Sequence, residues 1–190
     1  MRRKARKPAV RKSKPRKRAA PARGDQSLAA RIVTAPRLAE PKQSSALVDA
    51  WLAALKAAGK NLKALLAEYP LVRRLIESLT ENSPYLWELA SDDAARLLRL
   101  LQSDPDSHLA ALLAQTARKI DATKDDAEAM ALLRRMKSEA ALLIALADIG
   151  GVWPVMRATR ALTELADTAV SAAVRFLRPD VHGYIVLAMG

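Results

Sequence analysis

The sequence predicts a mostly α protein, a helical bundle with one long antiparallel helix pair, ending in a single strand. Three observations carry that reading. The chain is 51% hydrophobic but only 4% aromatic, and its apolar residues are mainly Ala and Leu, the best helix formers. A β-sandwich would draw instead on β-branched and aromatic side chains. Apolar residues recur at steps of three and four through most of residues 46–177, the helical period. Pro, Gly, Ser and Asp fall between these runs, where helices start and stop. At 190 residues there is room for one domain and a tail.

Residues 1–26 form a low-complexity segment of Lys, Arg, Pro and Ala. It lacks the apolar residues that would offset backbone ordering entropy, so it is expected to be disordered. Residues 27–45 carry a short apolar patch and then Pro36 and Pro41, and read as a linker or short helix. The helical region proper is assigned to residues 46–181. Ser44-Ser45 is placed as the N-cap of a helix over 46–58, with Leu47, Trp51, Leu55 and Ala58 as its apolar face. Gly59 is expected to stop that helix, and Asn61 to cap a second one running to Glu68.

Pro70 suits the first turn of the next helix, where a missing N–H costs nothing, and Leu71, Leu75, Ile76 and Leu79 form its face. Ser83-Pro84, Ser91-Asp92 and Asp104-Pro105 each open a further short helix. The acids at these starts, Asp92, Asp93, Asp104 and Asp106, are read as caps and partners of the helix dipole rather than metal ligands.

Asp125-Asp126 opens the first long helix, carried to Ala147, with Leu133, Met136, Ala140, Leu143 and Ala147 on one face. Its second half, 140–147, is apolar all round and is expected to be buried on every side. Gly150-Gly151 ends it in the left-handed conformation common at helix C-termini. Pro154 starts the partner, whose face is expected to be Val155, Ala158, Leu162, Leu165, Ala169, Val170, Ala173 and Phe176. Two such helices across a short turn make an antiparallel hairpin. Arg178-Pro179-Asp180 ends the pair, and residues 182–190, containing GYIVLAMG, read as a buried strand.

Charge and motifs bound the function. The chain nets +12, with 32 basic and 20 acidic residues. Residues 1–24 hold 12 of the basic residues and no acid, so the remainder balances at 20 of each. The pI therefore says nothing about the folded part. The tail alone invites a nucleic-acid reading, beside the plainer one of a solvated extension, and no aromatic interleaves its charges for base stacking. No cysteine is present, which excludes disulfides and thiolate chemistry. No run approaches the ~18 apolar residues of a membrane span, so no membrane association is expected. His108 and His182 have no ligand-spaced partners and read as surface or packing residues, and no G-x-S-x-G elbow occurs. Arg134, Arg135 and Lys137, on the first half of the long helix, are the candidate contacts for phosphate or an acidic partner; the plainer reading is a solvated basic face.

The ordered series ENSPYLWELA, LLRRMKSEAALLIALADIGGVWPV, TRALTELADTAVSAAVRFL and GYIVLAMG resembles the N-terminal region of bacterial glutamine-synthetase adenylyltransferases. The resemblance covers about residues 46–190 and excludes the tail. It implies a bifunctional enzyme with two polymerase-β-type nucleotidyltransferase domains. One transfers AMP from ATP to a tyrosine of glutamine synthetase; the other removes it by phosphorolysis, releasing ADP. It also implies control by a PII-type signalling protein, a cytoplasmic setting, and Mg²⁺ held by an S-D-x-D motif. On this view residues 182–190 are the first strand of a truncated α/β nucleotidyltransferase domain, and Gly190 opens its nucleotide-binding loop. The S-D-x-D carboxylates would follow beyond Gly190, so this stretch alone is expected to catalyse neither reaction. The alternative is a stand-alone helical adaptor whose basic tail binds nucleic acid.

Overall fold

The computed structural model describes residues 25–177, apart from the side chains of residues 56–58. The expected terminal strand, Gly190, His182 and residues 1–24 lie outside the described residues. Within them stand nine helices: α1 (Leu28–Arg31), α2 (Pro41–Ala54), α3 (Lys56–Glu68), α4 (Pro70–Asn82), α5 (Pro84–Asp92), α6 (Ala94–Gln102), α7 (Pro105–Ala122), α8 (Asp126–Ile149) and α9 (Val155–Leu177). None is long and apolar enough to cross a membrane.

Helices that carry their own caps start close to where the sequence places them. Ser83 Oγ accepts the Leu86 N–H at 3.3 Å, Asp104 Oδ1 that of Ser107 at 2.9 Å, and Asp125 Oδ1 that of Ala127 at 2.9 Å. The cap of α6 is Asp93, which accepts from Arg96 N at 2.8 Å, one residue past the expected Ser91-Asp92 pair. Each such bond satisfies a donor that the first helical turn leaves orphaned.

The first half of the chain departs more. Helix α2 starts at Pro41, not after Ser44-Ser45, because its cap comes from far away. Glu81, at the end of α4, accepts the backbone N–H groups of Ala39 (2.8 Å) and Glu40 (3.0 Å) and the Ser44 hydroxyl (2.5 Å). The hydroxyl bond, followed by the two backbone bonds, holds the Glu81 carboxyl below its ordinary range. The buried stripe of α2 is consequently Ser44, Val48 and Leu52, while Leu47, expected inside, is 49% exposed. Asp25, placed by the sequence in the disordered tail, accepts from Ser27 N at 2.9 Å and Tyr69 Oη at 3.3 Å.

Gly59 does not end a helix. The break falls at Leu55, and both Gly59 and Asn61 lie inside α3. A Cβ on Gly59 would sit 2.6 Å from the Leu52 carbonyl oxygen and 2.9 Å from the Leu55 Cβ. Glycine is there so that α3 can turn tightly against the end of α2.

The core joins two groups. Helices α2–α6 pack around Leu62, Leu66, Leu75, Ile76 and Leu97, and α7, α8 and α9 pack mutually as a three-helix bundle. The expected hairpin of α8 and α9 is present, but α7 is its equal partner rather than a minor helix. The second half of α8, buried at Leu142, Leu143, Ile144 and Leu146, runs between α5 and the bundle, as its all-round apolarity anticipates. Trp51 and Trp87 meet edge to face, centroids 5.3 Å apart, and pin α2 to α5.

A strap completes the assembly. Leu28 N donates to Ser103 O (2.8 Å), and Val33 N and Thr34 N both donate to Gly150 O (2.9 and 3.3 Å). Residues 27–34 therefore tie the end of α6 to the α8–α9 turn, with Leu28 and Ile32 buried in the common core. Gly151 in that turn has φ +69°, the left-handed region glycine occupies without penalty.

Candidate functional site

Arg134, Arg135 and Lys137 all lie on the exposed side of α8. The periodicity that buries Leu133 in part and Met136 and Ala140 fully puts the intervening positions outward. Among the described residues none of the three cations is in an ion pair; Arg134 Nη2 lies 3.8 Å from Met130 Sδ one turn back. Arg134 and Lys137 edge a groove of about 370 Å³ whose floor is Leu133, Leu162, Leu165, Ala166 and Ala169. A second apolar groove of about 240 Å³ continues from Leu133 past Met130 to Ala173, Phe176 and Leu177. The structure thus brings two of the three predicted residues together at one edge, beside an apolar channel that the sequence reading did not foresee.

The channel exists because α9 sits differently from expectation. Its tightest contacts are alanines: Ala158, Ala161 and Ala172 are buried. Val155, Leu162 and Val170, assigned to the packed face, are 73%, 52% and 40% exposed. Small side chains let α9 settle close to its neighbours, and the larger ones on the flank of the seam are left outside.

Polar groups elsewhere in the bundle are engaged structurally. His108 Nε2 and Glu139 Oε1 are 2.7 Å apart, joining α7 to α8, with both side chains largely buried. The His108 hydrogen bond, followed by the charges of His108, Arg99 and Arg96, holds the Glu139 carboxyl below the usual glutamate range despite the opposing effect of burial. Asp106 is the other hub. It accepts the Trp153 indole N–H at 3.2 Å and Arg157 Nε at 2.9 Å, lies 3.6 Å from Arg31, and leaves the Arg157 guanidinium 4.4 Å over the Trp153 ring. Asp104 pairs with Arg31 at 3.0 Å.

Ser103-Asp104-Pro105-Asp106 spells S-D-x-D, a tetrapeptide the sequence reading placed only beyond Gly190. Its setting is not a metal site. It is the cap and first turn of α7, with both carboxylates engaged by guanidinium groups. Among the described residues no three His, Asp or Glu side chains are grouped to hold a metal ion. The donor set here does not fit Mg²⁺, and no catalytic step is assigned to these residues.

Comparison with known proteins decides the family. A sequence profile of glutamate-ammonia ligase adenylyltransferase matches residues 72–184. The chain belongs to that adenylyltransferase family. A bifunctional glutamine synthetase adenylyltransferase/adenylyl-removing enzyme from Bradyrhizobium diazoefficiens is 49% identical over 87% of the chain and 18% of its own length. The proteins of the same name from Bradyrhizobium sp. BTAi1 and Rhodopseudomonas palustris HaA2 are 48% and 44% identical, over 83% and 86% of the chain. The chain spans less than a fifth of the length of these relatives. No solved structure matches it.

Membership makes sense of the ordered motif series, whose helical parts map onto α5, α8 and α9. What sequence reasoning missed is the Asp106 hub. Asp106 carries a capping residue's signature, and only the fold brings Trp153 and Arg157, some fifty positions away, onto it.

Proposed function

We propose that this chain is the N-terminal helical region of an enzyme that adenylylates and deadenylylates glutamine synthetase: AMP transfer from ATP to a tyrosine, and phosphorolytic removal of that AMP with release of ADP. The observation that carries this reading is the near-half identity, along most of the chain, to proteins bearing that bifunctional name. The helical region supports the deadenylylating nucleotidyltransferase core and does no chemistry itself. In this reading Gly190 begins the nucleotide loop, and Mg²⁺ is held by S-D-x-D carboxylates that come after it. The partners are glutamine synthetase, ATP or ADP, and a PII-type regulator, and the setting is cytoplasmic.

Arg134, Arg135 and Lys137 supply the contact with an acidic partner. Three cations within one turn, none in an ion pair among the described residues, attract such a surface, and removing them acts on encounter more than on chemistry. Two experiments test the reading. The encoding DNA past Gly190 is expected to read K-x-G and then S-D-x-D; a stop codon directly after Gly190 contradicts it. In the enzyme so encoded, reversing the three charges to Glu is expected to raise KM for adenylylated glutamine synthetase severalfold with little change in kcat. An unchanged KM removes the assigned contact.

A further inference from the structure

The α8–α9 seam is the apolar groove of the bundle. Leu133, Leu162, Leu165, Ala166 and Ala169 floor its first part, and the second part continues past Met130 to Leu177. Leu162 is 52% and Met130 49% exposed. From Leu162 to Leu177 the seam runs about 22 Å, four turns of helix. Both walls are helices whose backbone N–H and C=O groups are already paired along their own axes. An extended segment laid on this floor would bury its backbone groups without partners, whereas a helix satisfies its own. The shape therefore selects a helix with an apolar stripe at steps of three and four.

Charge narrows the occupant further. Arg134 and Lys137 stand together on the α8 edge of the first groove, exposed and in no ion pair among the described residues. Glu164 and Asp167 of α9 turn the other way, into the α7–α9 groove. Among the described residues the acid on the seam is Asp126, at the far end of the second groove, eight positions and about 12 Å along α8 from Arg134. We propose that the seam is the docking site for an amphipathic helix of a separate protein, with acidic residues on one flank set against Arg134 and Lys137. The inference rests on the reading of these cations as partner contacts and gives that partner a shape. The floor supplies the affinity, and the two cations fix direction and register. A nucleic-acid strand is disfavoured, because two cations neutralise few phosphates and the floor beside them is aliphatic rather than aromatic.

The probe is a fluorescein-labelled four-turn peptide with leucines at steps of three and four, Glu on one flank over two successive turns and Gln elsewhere. Its fluorescence anisotropy is expected to rise on titration with the 190-residue chain. Arg134→Glu combined with Lys137→Glu is expected to weaken binding at least about tenfold, and to admit a peptide with Lys in place of Glu. Leu162→Gln, or Ala166→Glu if the first variant loses helical circular dichroism, is expected to weaken the acidic peptide comparably. Four results overturn the proposal. The acidic peptide does not bind; neither set of substitutions changes its affinity, which assigns the binding to the basic residues 1–24; only one set does; or the parent chain sediments as a dimer that Leu162→Gln dissociates, which assigns the seam to a second copy. If the charge reversals raise KM as expected and Leu162→Gln changes neither KM nor peptide affinity, the partner contact stands and the groove falls.

Discussion

The indole N–H of Trp153 donates to Asp106 Oδ2 at 3.2 Å, linking the α8–α9 turn to the first turn of α7. The other oxygen of the carboxylate takes Arg157 Nε, so one side chain fixes the relative placement of all three bundle helices. Asp106→Ala removes both bonds and leaves Arg157 with Glu164 at 3.4 Å. Because Asp106 is 47% exposed, the expected loss is about 1–2 kcal/mol rather than the full value of two charged hydrogen bonds. Urea denaturation with an unchanged m value is the measurement.

The two faces of the hairpin are expected to respond oppositely to truncation. Leu143 is fully buried and Leu162 half exposed, although helical spacing put both on packed faces. Leu143→Ala is expected to cost about 2–5 kcal/mol through lost burial and a residual cavity. Leu162→Ala is expected to stay within about 0.5 kcal/mol, as for surface positions generally. Equal effects would return Leu162 to the core.

Gly151→Ala tests the turn. Its φ of +69° is disfavoured for an L residue by about 1–2 kcal/mol, and the new methyl would meet Thr34 Cγ2 at 2.9 Å. A loss of at least that size is expected in the denaturation midpoint, with residues 33 and 34 showing faster amide exchange as the strap loosens.

Acid is expected to weaken the α7–α8 contact through Glu139. Its folded-state pKa lies below the ordinary value, chiefly through the His108 hydrogen bond. The stabilisation is therefore complete above the unfolded value, about 4.3, and fades as pH falls through the lower folded-state value. Glu139→Gln is expected to be less stable than the parent by about 1–2 kcal/mol at neutral pH, with the gap closing on acidification. A gap that does not depend on pH would remove the linkage.

How much of this could be read from the chain depends on where each determinant lies. Ser83, Asp104 and Asp125 cap helices with their own side chains, so local sequence suffices. The start of α2 depends on Glu81, about forty residues away, and Gly59 looks like a stop until the approach of Leu52 is known. The heptad spacing of α9 identified an apolar stripe but not its division. Whether Leu162 and Val170 pack or protrude depends on how closely Ala158, Ala161 and Ala172 let the helices approach. Of the candidate site, the cations were visible in LLRRMK, while the groove beside them arises only from the pairing of α8 with α9.

The central proposal is that this helical region is part of an enzyme acting on glutamine synthetase and performs no chemistry itself. ADP release from adenylylated glutamine synthetase, in the presence of phosphate and Mg²⁺, tests it most directly. The longer enzyme proposed to contain this chain is expected to release ADP, and the 190-residue chain alone to release none above background. Release by the isolated chain, or none by the longer enzyme, would contradict the account.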